Sequence, residues 1–88
     1  MIVRMFAIFD SKAEAFLQPF FASTKAVALR NFASAVTQED STFHKHAEDY
    51  QLFEIALFDD HSGEVKGLEA KLALAYATEF LVNGKRVE

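Results

Sequence analysis

The first nine residues, Met1 to Phe9, are apolar at every position except Arg4. Side chains alternate between the two faces of a β-strand, so a strand here would be apolar on both faces. Such a strand needs cover on both sides. We predict a central strand of a sheet, with helix against one face and a partner or long side chains against the other.

The segment that follows, Ala15 to Ala22, is mostly apolar and contains Pro19. Because proline lacks the N–H that a central strand donates, this segment is predicted to be an edge strand or an irregular extended arm. A helix is predicted next, over residues 24–37, with Thr24 as its N-cap. Its apolar stripe has the i, i+3, i+4, i+7 spacing of one helix face, at Leu29, Phe32, Ala33 and Val36.

The second half of the chain contains two further predicted strands. The polar stretch from Phe43 to Asp49 is interpreted as a loop, and Tyr50 to Phe58 as a second strong strand. Asp59 to Gly63 is typical of a hairpin turn, because glycine readily adopts the positive φ that such turns need. Glu64 to Leu68 is the predicted returning strand.

A second helix is predicted near residues 69–82, where the sequence is rich in Ala, Leu and Glu. Its apolar stripe contains Leu72, Ala75, Tyr76 and Phe80. The fold class is therefore α+β, with a small, mainly antiparallel sheet and two helices packed on one face in the order β-β-α-β-β-α. At 88 residues the chain is expected to form one domain, spanning 1–88.

An apolar sheet face remains uncovered in this arrangement. Its side chains exceed what one layer of helices covers in so small a domain, and an uncovered apolar face is an association site. We expect a homo-oligomer, most simply a dimer. The predicted interface residues are Phe6, Ile8, Pro19, Phe21, Leu52 and Phe58.

The sequence offers no catalytic or cofactor motif. It has no cysteine, and its three glycines form no phosphate-binding loop. His44 and His46 lie two residues apart, but no further ligand follows at a diagnostic spacing, so no metal site is predicted. We expect a protein that is not an enzyme and has no cofactor. No apolar run is long enough for a membrane span, and no signal peptide is recognisable, so a soluble protein is expected.

The charge distribution bears on nucleic-acid binding. The chain has a net charge of −4, yet residues 1–30 contain four bases and only two acids. Phe16, Phe20 and Phe21 lie among these bases, and single-strand binders combine stacking aromatics with cationic side chains. The alternative is that these phenylalanines belong to the core or to an oligomer interface. The candidate nucleic-acid contacts are Arg4, Lys12, Lys25, Arg30 and Phe20.

Several segments, in their order along the chain, resemble the sequences of one protein family. They are the Phe-Asp-Ser-Lys-Ala-Glu-Ala turn from Phe9, the Pro-Phe-Phe arm from Pro19, Ala28 to Phe32, Lys45 to Tyr50, and Phe58-Asp59-Asp60 leading to Gly63. Over most of its length the chain resembles the small non-structural protein of gokushovirus-type microviruses, which are tailless bacteriophages with circular single-stranded DNA genomes. The resemblance implies a DNA-binding protein of the bacterial host cytoplasm that acts in genome replication or packaging, without catalytic residues.

Two functions therefore compete. The resemblance favours binding of single-stranded DNA. The net charge of −4 and the absence of a basic cluster favour a module that binds a phage or host protein without contacting DNA.

Overall fold

The computed structural model describes residues 1–82 and 85–86. It confirms an α+β fold with a mainly antiparallel sheet and two α-helices. Two 3-10 helices, Ala47–Asp49 and Ala77–Phe80, accompany them. The strands and α-helices in chain order are β1 Ile2–Asp10, β2 Ala15–Phe16, β3 Phe20–Ala22, α1 Lys25–Thr37, α2 Thr42–Lys45, β4 Tyr50–Asp59, β5 Val65–Tyr76, β6 Leu81–Val82 and β7 Lys85–Arg86.

The main sheet has the order β2-β1-β4-β5, and β3 also pairs with β1. As predicted, the N-terminal strand is central, and the segment around Pro19 forms two short edge strands on either side of the proline. β4 and β5 form a hairpin whose turn is closed by the Gly63 N–H, which donates to the Asp59 carbonyl at 2.7 Å. Gly63 has the expected positive φ, of 80°.

Helix α1 confirms the predicted helix over residues 24–37. The Thr24 hydroxyl accepts from the Val27 N–H at 3.2 Å, as an N-cap does. Ala28, Phe32 and Val36 are buried along one side of the helix. They form the core with residues of the sheet and of both 3-10 helices, which are Phe6, Ala22, Ala47, Tyr50, Leu52 and Ala77.

The predicted helix near residues 69–82 is wrong. Residues 65–76 form β5, and only the short 3-10 helix Ala77–Phe80 follows before β6. The turn at Gly63 returns the chain alongside β4, and the backbone of β5 pairs with β4. This strand pairing outweighs the weak preference of the β5 sequence for helix. The second α-helix is α2, which lies in the segment interpreted as a loop.

The pairing of β1 with β4 contains a bulge. Met5 lies opposite Ala56, but Phe6 lies opposite Glu54, so Ile55 is an extra residue on β4. Because side chains alternate, this extra residue reverses the face to which the rest of β4 points. Leu52 and Glu54 lie on the same face as Phe6, whereas Phe58 lies opposite Val3 on the other face.

The sheet therefore has two distinct faces. The helix face carries Phe6 and Leu52, and each helical element of the described chain packs against the core there. The opposite side is called the open face. By strand register and aromatic contacts its residues are Val3, Met5, Ala7, Phe9, Phe16, Phe21, Gln51, Phe53, Ala56, Phe58, Val65, Gly67, Ala73 and Tyr76.

Candidate interaction surface

Two of the predicted nucleic-acid contacts are engaged inside the fold. Phe20 stacks on Phe6, with ring centroids 5.9 Å apart, on the helix face. Arg4 Nη1 lies 3.4 Å from Glu54 Oε1, so its charge is partly neutralised by a buried carboxylate. Phe20 is partly buried and packs against the core, so its predicted stacking on bases would have to use the remaining exposed part of the ring.

The other three predicted contacts, Lys12, Lys25 and Arg30, are exposed. Among the described residues, no carboxylate lies within 4.0 Å of any of their cationic groups. Lys12 is in the turn after β1, whereas Lys25 and Arg30 belong to α1. Five residues on a helix correspond to a rotation of about 140°, so the two α1 cations point in different directions. The structure does not bring the three bases together in one groove.

The residues predicted for an oligomer interface differ in burial. Ile8 is partly buried and packs against the core, whereas Phe6 and Leu52 are completely buried in a single chain, so these last two residues offer no surface to a partner. This corrects their assignment to an uncovered face. Phe21 is 52% exposed, and Phe58 contacts it with ring centroids 5.4 Å apart. Pro19 is also exposed.

Sequence reasoning placed the uncovered face on the wrong side of the sheet. Alternation alone puts Phe58 with Leu52, because the two are six residues apart. The bulge at Ile55 breaks that alternation, and nothing in the local sequence signals it. The face that helices leave uncovered is instead the one that carries Phe9 and Phe53.

The open face has an aromatic cluster at one end. Phe9, Phe16 and Phe53 lie with ring centroids 5.0, 6.4 and 5.6 Å apart, in the tilted and edge-to-face arrangements that aromatic rings favour. Phe16 is 39% exposed and is the outermost of the three. The pair of Phe21 and Phe58 lies toward the other end of the same face.

None of the fourteen residues of the open face is charged, whereas Glu69 and Lys71 lie between Gly67 and Ala73 on β5, in a stretch whose register with β4 is irregular. Among the fourteen, Gln51 is the only polar amide, and Tyr76 contributes the only hydroxyl. Val65 and Tyr76, on the edge strand β5, are each more than half exposed. Such a surface can bury apolar area and stack aromatic rings, but it supplies no general acid, base or nucleophile.

One group of possible metal ligands lies away from this face. His46, Glu48 and Asp49 each place a ligand atom within 4.8 Å of the others. Imidazole and carboxylate suit a divalent transition metal, but these three ligands, of which Asp49 is partly buried, fall short of the four of a structural zinc site. His44, the other member of the histidine pair, has its Nδ1 3.0 Å from the Val36 carbonyl oxygen, where it caps the end of α1.

Two shifted pKa values have structural explanations. Burial, followed by the nearby charges of Asp10 and Asp49, raises the pKa of Tyr50 above 10.0. The backbone N–H of His61 donates to Asp59 at 2.9 Å and lowers the pKa of that carboxyl group. Neither group lies in a catalytic arrangement: Tyr50 is core and Asp59 is part of the hairpin turn.

Comparison with known proteins places the chain in a family. The family described as Phage ORF5 protein matches residues 3–80. The chain belongs to this family. The match spans every residue of the open face, from Val3 to Tyr76, and confirms the prediction of a bacteriophage protein.

No curated protein and no solved structure gives a significant match. Among the described residues of this phage ORF5 family member, none of the helices has the length and apolar character needed to cross a membrane.

Proposed function

We propose that this phage ORF5 family member is a non-enzymatic binding protein, and that it acts by protein–protein contact through the open face. The observation that carries the proposal is a broad sheet face with fourteen uncharged residues, of which Phe21, Val65 and Tyr76 are each more than half exposed. Contiguous apolar surface of this kind is uncommon on a monomer and marks sites of association.

The charge pattern favours protein over nucleic acid as the ligand of this face. Binding of DNA depends on cations that neutralise phosphates, and none of the fourteen residues of the open face is a cation. The chain as a whole has a net charge of −4 and a pI near 5.3, so it repels a polyanion at neutral pH. An apolar, aromatic surface instead fits the core of a protein interface, where charged residues are depleted.

Photo-crosslinking in phage-infected host cells tests this proposal. A photoreactive phenylalanine analogue replaces Phe21 on the open face, and Leu72 on the helix face in a control variant. Both positions are exposed, at 52% and 42%, so the two probes have similar access to solvent. We expect protein adducts from position 21 and few from position 72. Absence of protein adducts at position 21, or adducts with DNA in their place, would contradict the proposal.

A second candidate function is binding of single-stranded DNA during genome replication or packaging of a gokushovirus-type microvirus in the host cytoplasm. Exposed Lys12, Lys25 and Arg30, which have no carboxylate neighbour in the described part of the chain, support it together with the family resemblance. The stacking residue would then be Phe16, which follows the Lys12 turn, in place of Phe20. Several subunits would be needed to combine these separate cations into a usable footprint.

A titration with single-stranded DNA at about 50 mM and about 200 mM salt tests this second function, because phosphate contacts weaken steeply with salt. The variant Lys25→Ala plus Arg30→Ala should bind more weakly than the wild type. Lys45→Ala plus Lys71→Ala removes the same charge from exposed positions elsewhere and is the matched control. Equal affinity of all three proteins, or no binding at the lower salt concentration, would rule out this function.

A further inference from the structure

We infer that the open face binds the open face of a second copy of this chain, in a sheet-on-sheet homodimer. This inference rests on the proposed function, and it names the partner of the same surface. A two-fold symmetric dimer uses one self-complementary patch twice, so the chemistry of the face must suit itself.

Charge supports a second copy as the occupant. Two chains with a net charge of −4 repel each other, and they associate best through a patch where neither presents a charge. The fourteen residues of the open face form such a patch, and Glu69 and Lys71 lie beside it on the irregular stretch of the edge strand β5. Any partner of this face has to be uncharged and apolar over a similar area, and a second copy meets both conditions by identity.

The size of the face is also adequate. The face is about 23 Å long from Gln51 to Phe58. Its width is about 19 Å, because it spans four neighbouring strands at their usual spacing. Two such faces bury about 900 Å² in projection, and protruding rings such as Phe16 bring the total close to the ~1,000 Å² of a specific interface. Packed sheets lie ~10 Å apart, a gap that aromatic and branched side chains fill. An area at the low end of specific interfaces is typical of weak, transient association, so we expect a reversible dimer.

Light scattering over about 10 to about 200 µM protein tests the dimer, because a weak, reversible dimer dissociates on dilution. At the upper end we expect twice the chain mass of 9.9 kDa. Phe21→Lys and Val65→Lys each place a charge on the open face, and each should raise the dimer dissociation constant at least ~10-fold. Both positions are more than half exposed, so both variants should keep the wild-type circular dichroism spectrum.

Leu72→Lys is the matched control, because Leu72 lies on the same strand as Val65, is 42% exposed and points to the helix face. It should dimerise like the wild type. A wild-type mass of 9.9 kDa at every concentration would overturn the inference, and so would equal weakening by Leu72→Lys and Val65→Lys.

Failure of the dimer is distinguishable from failure of the proposed function. A monomeric protein whose position 21 still crosslinks to another protein in infected cells overturns the dimer and leaves the proposed function standing. A dimer that Phe21→Lys dissociates, together with self-crosslinking at position 21, supports both. A dimer unaffected by Phe21→Lys and Val65→Lys uses another surface and overturns the inference.

Discussion

Arg4 and Glu54 form an ion pair at the edge of the core, with Arg4 Nη1 3.4 Å from Glu54 Oε1. Glu54 is 3% exposed, whereas the Arg4 side chain is 41% exposed. The pair flanks the bulge at Ile55, on the face that α1 covers. The guanidinium therefore lies between a buried carboxylate and solvent. Among the described residues, Glu54 is the only charged residue in the core, and Arg4 donates a hydrogen bond to it.

Replacing Arg4 with Ala should destabilise the protein, because Glu54 would remain buried without its partner. We expect a loss of about 2 kcal/mol in the free energy of unfolding, below the range for fully buried pairs because solvent screens Arg4. Urea denaturation measures it. Arg4→Ala combined with Glu54→Gln should recover part of the loss, and a double variant less stable than Arg4→Ala alone would contradict this explanation.

Leu52 and Phe21 should respond in opposite ways to truncation, although the sequence assigned both to one interface. Leu52→Ala should cost about 2–5 kcal/mol of unfolding free energy, since its side chain is completely buried. Phe21→Ala should cost less than about 1 kcal/mol at concentrations where the chain is monomeric. Thermal unfolding of dilute protein compares them. Similar losses at the two positions would mean that the core is misassigned.

Tyr50 should make stability sensitive to alkaline pH. Its pKa is raised in the folded state by burial, and its unfolded value is near 10.0. Its contribution is thus complete below about pH 10 and is lost as pH rises through the higher folded pKa. Tyr50→Phe removes the ionisable group. Urea denaturation between about pH 9 and about pH 11.5 should show a shallower decline for the variant. Parallel curves would show that Tyr50 is not the cause.

Gly63 and Gly67 provide a matched pair in the hairpin. Gly63 has a φ of 80°, so Gly63→Ala should cost about 1 kcal/mol of unfolding free energy through backbone strain. Gly67 needs no positive φ, and a Cβ added there would meet nothing within 4 Å. Gly67→Ala should be neutral or slightly stabilising in chemical denaturation. A larger cost at Gly67 than at Gly63 would refute this account of the turn.

Thr24 should contribute through its N-cap. Thr24→Ala removes the hydroxyl that accepts from the Val27 N–H, at an expected cost of about 1 kcal/mol. Ser23→Ala alters the exposed residue just before it and should have a much smaller effect. Unfolding followed by the helical circular dichroism signal compares the two. Equal losses would mean that the cap is not the stabilising feature.

The sequence by itself determined the features that depend on neighbouring residues. The helix over residues 24–37, the strand Tyr50–Asp59 and the turn at Gly63 follow from a cap, a periodicity and a φ requirement, which act within a few residues. Family resemblance added the phage origin, which the match over residues 3–80 confirms. Phe21, which the sequence assigned to an oligomer interface, is exposed.

Only the tertiary structure decided the secondary structure of residues 69–76 and the face that helices cover. Helix propensities differ by only tenths of a kcal/mol per residue, so pairing of β5 with the neighbouring β4 outweighs them. The single extra residue at Ile55 then exchanges the faces of β4, because side chains alternate with a period of two. That exchange depends on the register between two strands about fifty residues apart in sequence, and the local sequence does not encode this register. As a result, Phe58 lies on the open face and Leu52 is buried beneath α1.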